Sequence, residues 1–357
     1  MGVHMAKSFN IGFIGTGIMG APIAGHILDA GYNVNVYNRT KKKAEDLINR
    51  GAHWVDSVEE IAKTSDVIFT MLGFPQDVEE VYLSKSGLLQ CSKKGTYLID
   101  LTTTAPELAR DIYNAAQAAG CHAFDCPVTG GESGAQAGTL TLIVGSSEQE
   151  IAPVRPILET FGKKILCFDK AGQGQTEQLA NQIALAGSMC GMAEALSFAA
   201  VNGLNQYDVR NLILSGTGKS GAMESLGLKA IDGDYKPGFL VEHFLKDIGL
   251  ALQAAEEEEL RLPAMETAFS LYDMLDCIGG SRLGTQSLPV LYQEEADAVA
   301  AGLDWSLYTS SLEDEHDEYQ HQDECGCNCD NDADACHSHG NQSNDADTCN
   351  CDCGCDE

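Results

Sequence analysis

Five short stretches of this 357-residue chain carry residue types whose spacing could do chemistry. FIGTGIMGAP sets Gly15, Gly17 and Gly20 in G-x-G-x-x-G spacing, with Ile18 and Met19 between them. Between an apolar strand and a helix, that spacing suits a dinucleotide. Gly15 allows the tight turn, Gly17 lets the backbone approach a pyrophosphate, and Gly20 lets the helix pack close to the strand. The helix start adds free N–H groups and a partial positive charge for the phosphates. A purely structural glycine turn is the plain alternative. Roughly 20 residues on, an NAD site places an acid for the ribose hydroxyls. Here the chain reads Asn38-Arg39-Thr40, then Lys41-Lys42-Lys43. A carboxylate would repel a 2′-phosphate, whereas a guanidinium and a hydroxyl can hold one. Arg39 and Thr40 therefore favour NADP(H) over NAD(H), and Lys42 and Lys43 read as a solvated helix start.

The third stretch, Asp125 to Gly145, holds Thr129-Gly130-Gly131 directly after a strand. That puts backbone N–H groups and a hydroxyl at the carboxyl edge of a sheet, where open α/β folds bind ligands. Such a turn can grip a carboxylate, or it is only a glycine-rich connection. The fourth, GQGQTEQLANQ from Gly172 to Gln182, starts a helix with two glycines, amides and a hydroxyl but no lysine or histidine. The fifth is C-terminal. Cys325, Cys327 and Cys329, and later Cys349, Cys351, Cys353 and Cys355, form Cys-x-Cys ladders, with Cys336, His337 and His339 between them. In an extended segment alternate side chains share a face, and soft thiolates select Zn(II) or Cu(I). The spacing resembles metallothioneins in character. An acidic solubilising tail with incidental thiols is the alternative.

These residues need elements to position them. Asn10–Gly15, Asn33–Asn38, Val67–Leu72, Thr96–Leu101, His122–Val128, Leu140–Gly145 and Lys164–Phe168 read as strands, with helical patterns between the early ones. That alternation implies βαβ units and one mainly parallel sheet covered on both faces. After Gly172 the β signal fades into helices: a long Ala- and Gly-rich run to Leu204, then Gln206–Ser215, Leu240–Leu260 and Ala264–Ile278. The small residues of the long run suit close helix packing, within the chain or between subunits. The expected fold is an α/β Rossmann-type doubly wound sheet, an all-α domain and a disordered C-terminal tail. The boundaries read as a leader at 1–7, a dinucleotide domain at 8–170, a helical substrate or oligomerisation domain at 171–309, and an acidic Cys/His-rich tail at 310–357.

Charge separates the tail from the body. The net charge is −31, of which −16 falls on the first 312 residues and −15 on the last 45. An acidic surface argues against nucleic-acid binding. No uninterrupted apolar run reads as a membrane span, and the opening lacks a signal-peptide layout, so a cytoplasmic location is expected. Cys91, Cys121, Cys126, Cys167, Cys190 and Cys277 read as core residues.

Taken in order, Gly15-x-Gly17-x-x-Gly20, the Asp125–Gly131 segment, Gly138-Thr139-Leu140, the Gly172–Gln182 stretch and Lys246-Asp247 resemble the β-hydroxyacid dehydrogenases. That family includes 3-hydroxyisobutyrate dehydrogenases and tartronate semialdehyde reductases. The resemblance covers roughly residues 8–307 and implies a cleft between the two domains, a homodimer or homotetramer, and a small carboxylated substrate. It implies that Thr129, Gly130 and Gly131 bind the substrate carboxylate and that Asn181 contacts substrate. Met71, Leu72, Thr102, Thr103 and Lys246, with Asp247 beside it, would lie along the cofactor. It also exposes a departure. The family's helix reads G-x-G-x-x-x-K-x-x-N, and its general acid–base lysine falls here on Gln178.

An amide can donate a hydrogen bond but cannot give up its proton at neutral pH. Glu177 would point about 100° away on a helix. Lys246 remains as a proton source, and an already protonated imine would need none, since imine reductases share this architecture and lack the lysine. The alternative to an oxidoreductase is a low-turnover nucleotide-binding protein with a metal-storing tail.

Overall fold

The computed structural model describes residues 9 to 307. The tail from 310 onward, with all ten of its expected metal ligands, lies outside the described residues, as does the leader at 1–7.

The N-terminal half is built on a six-stranded parallel sheet in the order β3-β2-β1-β4-β5-β6. Its strands are β1 (Asn10–Ile14), β2 (Asn33–Tyr37), β3 (His53–Trp54), β4 (Val67–Thr70), β5 (Tyr97–Asp100) and β6 (His122–Asp125). The order reverses between β1 and β4, so a crevice opens at their carboxyl ends. Apolar runs such as Ile11, Phe13, Val67 and Phe69 are fully buried because helices cover both faces. The two-residue β3 carries too little pattern to be read from sequence.

One expectation fails. A single strand over 122–128 and a single sheet do not form. β6 ends at Asp125, Pro127 lacks the N–H that a ladder needs, and the chain enters a second sheet. That sheet has the order β7-β8-β9, from β7 (Val128–Thr129), β8 (Leu140–Val144) and β9 (Gly162–Cys167). β7 and β8 are antiparallel, and β8 and β9 are parallel. One apolar cluster, with Phe69 against Phe161, joins the two sheets into a common core.

From Gln173 onward the described chain is helical. The long helix Gln173–Val201 packs Met189, Met192 and Leu196 into a core with Phe244 and Ile248 of Val241–Glu257 and Tyr272 and Leu275 of Pro263–Cys277. By length and composition the long helix could cross a bilayer, an 18-residue stretch of it having mean hydropathy 1.4, against the expectation that no run reads as a membrane span. Its apolar stretch from Ile183 carries the charged Glu194, and its buried face belongs to this helical core.

Candidate active site

The glycine turn is set by close contacts. Gly15 has φ +96°, and a side chain there would lie 2.1 Å from the Met71 carbonyl oxygen. A side chain on Gly20 would lie 1.9 Å from the Gly15 oxygen. Gly17, by contrast, faces open space, as a backbone that meets a pyrophosphate must. The helix Gly20–Asp29 follows at once.

A cleft of about 650 Å³ runs past this turn. Gly15, Gly17, Ile18, Met19 and Gly20 form one wall, Met71 and Leu72 another, and Asn38 and Arg39 one end. Thr40 lies outside the lining, with its backbone oxygen accepting from Asn38 Nδ2. Lys43, set aside in sequence as a solvated lysine, does line the cleft. Arg39 pairs across the opening with Asp77, 3.0 Å away. His243 also lines the cleft, edge-on to Phe74 at 5.4 Å, so the helical domain closes on the Rossmann loop at 73–74. Burial lowers the His243 pKa. Nothing in the spacing of Asp77 or His243 announces these positions, because each depends on how two distant elements meet.

Thr102 and Thr103 join elements instead of lining this cleft. Thr102 Oγ1 accepts from the Leu72 N–H, its carbonyl accepts from Gln175 Nε2, and Thr104 N–H donates to Gln175 Oε1. Behind them Asp100 Oδ1 accepts from Thr70 Oγ1 and from the Thr102 N–H. Burial pushes the Asp100 carboxyl up to about 6, with a smaller contribution from the charge of Asp125. Asp125, at the end of β6, caps the long helix from outside. Its Oδ1 accepts from Gly172 N–H and its Oδ2 from Gln175 N–H, each at 2.8 Å. Burial raises its pKa, and these backbone donors oppose that rise.

The long helix presents Gln175, Gln178 and Gln182 on one buried face, three and four residues apart. Gln178 is 3 % exposed, and its Oε1 has no hydrogen-bond partner among the described residues. Glu177 is exposed on another face. Gln182 Oε1 accepts from Asn181 Nδ2 at 3.1 Å, and Gln182 Nε2 donates to Asp247 Oδ2 at 2.6 Å. Lys246 Nζ lies 2.8 Å from Asp247 Oδ1 and donates to the Thr103 carbonyl at 2.6 Å. The Asp247 contact is an ion pair off the hydrogen-bonding direction, since Oδ1 has no aligned donor. A continuous polar chain thus runs from Asn181 through Gln182, Asp247 and Lys246 to Thr103. Thr129, Gly130 and Gly131 lie at the turn from β7 into the helix Gly131–Ala137, with both glycines exposed. Of the body cysteines, Cys121 and Cys126 are buried and the other four half-buried, all as free thiols. No cluster of metal-ligating side chains occurs among the described residues.

Residues 10–169 match the family model for the NAD-binding domain of 6-phosphogluconate dehydrogenase. Residues 172–291 match that for the NAD-binding region of NADP-dependent 3-hydroxyisobutyrate dehydrogenase. The chain belongs to the β-hydroxyacid dehydrogenase family. It is an NAD(P)-dependent oxidoreductase. It is 44 % identical to an uncharacterized oxidoreductase of Bacillus subtilis over 79 % of this chain and 98 % of the relative. It is 34 % identical to the 2-hydroxy-3-oxopropionate reductase of Escherichia coli over 78 % and 95 %. The solved 3-hydroxyisobutyrate dehydrogenase of Mycobacterium tuberculosis, bound to L-serine, aligns with TM-score 0.73 at 27 % identity, over 81 % of this chain and all of that one. An imine reductase from Myxococcus stipitatus, at 20 % identity and TM-score 0.54, shares the fold alone.

Proposed function

We propose that the enzyme reduces a small carboxylated carbonyl with NADPH, or oxidises the matching hydroxyacid. The observation that carries this reading is the Thr129-Gly130-Gly131 turn at the end of β7, its two glycines exposed, together with the Gly15–Gly20 turn that lines the cleft. Two glycines with positive φ turn their backbone without side chains in the way, which suits a carboxylate. Arg39 and Lys43 at the cleft end, with no acid at Asn38, support NADP(H) over NAD(H). The 2-hydroxy-3-oxopropionate reductase among the relatives makes short semialdehydes the first substrates to try.

Hydride transfer to the carbonyl carbon leaves its oxygen needing a proton. Gln178 cannot supply one. Lys246 can: an ammonium has three N–H donors, of which one goes to the Thr103 carbonyl, while Asp247 Oδ1 faces the charge as an ion pair. In this reading Lys246 protonates the oxygen, Asp247 and Gln182 hold it in place, and Asn181 orients the substrate. A second reading has one observation in its favour: the unpartnered Oε1 of Gln178 would accept an N–H from an iminium. A low-turnover nucleotide-binding protein is the third.

The long helix leaves Ala180, Ala184, Gly187 and Gly191 exposed in a stripe that ends at Phe198 and Val201. A second copy packing there is the basis for proposing a homodimer or homotetramer. A cytoplasmic protein with no nucleic-acid or membrane partner, and a Zn(II)- or Cu(I)-binding tail, completes the proposal. Truncation after Ser311 should abolish most soft-metal binding and leave NADPH affinity intact, as measured by metal titration and cofactor fluorescence. The deciding experiment for the reaction is NADPH oxidation against small semialdehydes, keto acids and imines, alongside NADPH fluorescence titration. Absence of binding ends the proposal. Turnover of imines alone selects the second reading, and binding without any turnover selects the third.

A further inference from the structure

Arg39 and Asp77 meet across one end of the cleft, and both line it. The Arg39 side chain is 79 % exposed and hangs on a long flexible stem. Asp77 is 18 % exposed and fixed in the first turn of the helix Pro75–Leu83. An ion pair this exposed is weak, so it can open. When it does, Asp77 keeps a compensating partner in the positive end of its own helix. Arg39 therefore has two places to go, at modest cost to the group it leaves.

We propose that Asp77 is a specificity-determining residue of the cofactor cleft, competing with a 2′-phosphate for the Arg39 guanidinium. The inference rests on the NADP(H) reading given above. A phosphate carries more than one negative charge and offers oxygens to the guanidinium fork, so it wins Arg39 from a single carboxylate. It does so only after the Arg39–Asp77 pair has parted, which subtracts from the affinity. A 2′-hydroxyl gains little from a free guanidinium, so with NAD(H) the pair stays closed. Asp77 thereby narrows the gap between the two cofactors. Lys43 at the same end has no ion-pair partner among the described residues and supplies positive charge in either state.

The test is fluorescence titration of NADPH and NADH with the full chain, as wild type, Asp77→Asn, Arg39→Met and the double variant. Asparagine keeps the size of aspartate and its place on the helix. Asp77→Asn should tighten NADPH binding about threefold, the scale of an exposed ion pair, and leave NADH within about twofold. The gain should shrink between about 20 mM and about 300 mM salt and vanish in the double variant, as a shared partner requires. An unchanged NADPH-to-NADH ratio in Asp77→Asn, while Arg39→Met loses NADPH affinity, overturns the role of Asp77 and leaves the NADP(H) reading standing. A gain that persists in the double variant overturns the competition in favour of a general charge effect. Arg39→Met binding NADPH like wild type overturns both.

Discussion

Two polar regions of this enzyme are built on opposite principles. At the adenosine end, charged groups stand in or near water: Arg39 is mostly exposed, and its partner is a weak surface pair. Where the long helix meets β6 and Lys246, polar groups are buried and mostly matched. Asp125 accepts two backbone N–H groups, Gln175 bridges Thr102 and Thr104, and Asp247 is held between Gln182 and Lys246. Under the proposed function, the difference follows from what each region must do. A cofactor phosphate brings its own charge, so the protein need only offer the complement. A proton donor must be held at one place, and that rigidity comes from buried networks in which a missing partner is costly. Two oxygens in that network stand without a hydrogen bond, Gln178 Oε1 and Asp247 Oδ1, the second of them facing the Lys246 charge.

The comparison can be broken most decisively at Lys246. Lys246→Met should cut kcat by about 10²–10⁴-fold, the usual range for a positioned acid. Lys246→Arg, which keeps the charge but cannot release a proton near neutrality, should not rescue it. Recovery by arginine would mean that the residue acts by charge alone. Next comes Gln178→Lys, which should raise reductase activity on small semialdehydes at least about tenfold by restoring an acid. No gain would place the proton entirely with Lys246, or point to a substrate that needs none.

A separate effect concerns stability. Asp100 is buried with its carboxyl at about 6, above the ordinary aspartate value of 3.8. The folded state therefore binds this proton more tightly than the unfolded state. Its stabilising contribution is complete below about pH 4 and is lost as pH rises through about 6, amounting to about 2–3 kcal/mol in all. Asp100→Asn retains an oxygen for both bonds now made to Oδ1. Thermal melts should show the variant gaining on wild type between pH 4 and pH 7. A constant difference across that window would mean that the carboxyl titrates normally.

Much of the fold was legible because it rests on local pattern. The apolar runs around Ile11–Ile14 and Val67–Thr70, the Gly15–Gly20 turn and the Ala-rich helix after Gly172 announce themselves within a few residues. Pro127 was equally visible, yet its consequence was not. Splitting one sheet into two depends on where β8 finds a partner, which no local window contains. At the site, Thr129–Gly131, Gln178 and Lys246 could be picked out by family spacing. Asp77 and His243 could not, since neither belongs to a motif.

The sequence by itself determined the cofactor turn, the order of the domains and the absence of lysine at position 178, because each is a matter of residue type at a fixed spacing. Tertiary structure alone decided that Asp125 caps the long helix from 47 residues away, that Lys246 is tied to a loop 143 residues earlier, and that Asp77 holds Arg39. Those contacts arise when elements distant along the chain are packed together. Their energies come from burial and alignment, and neither is written in any single stretch of residues.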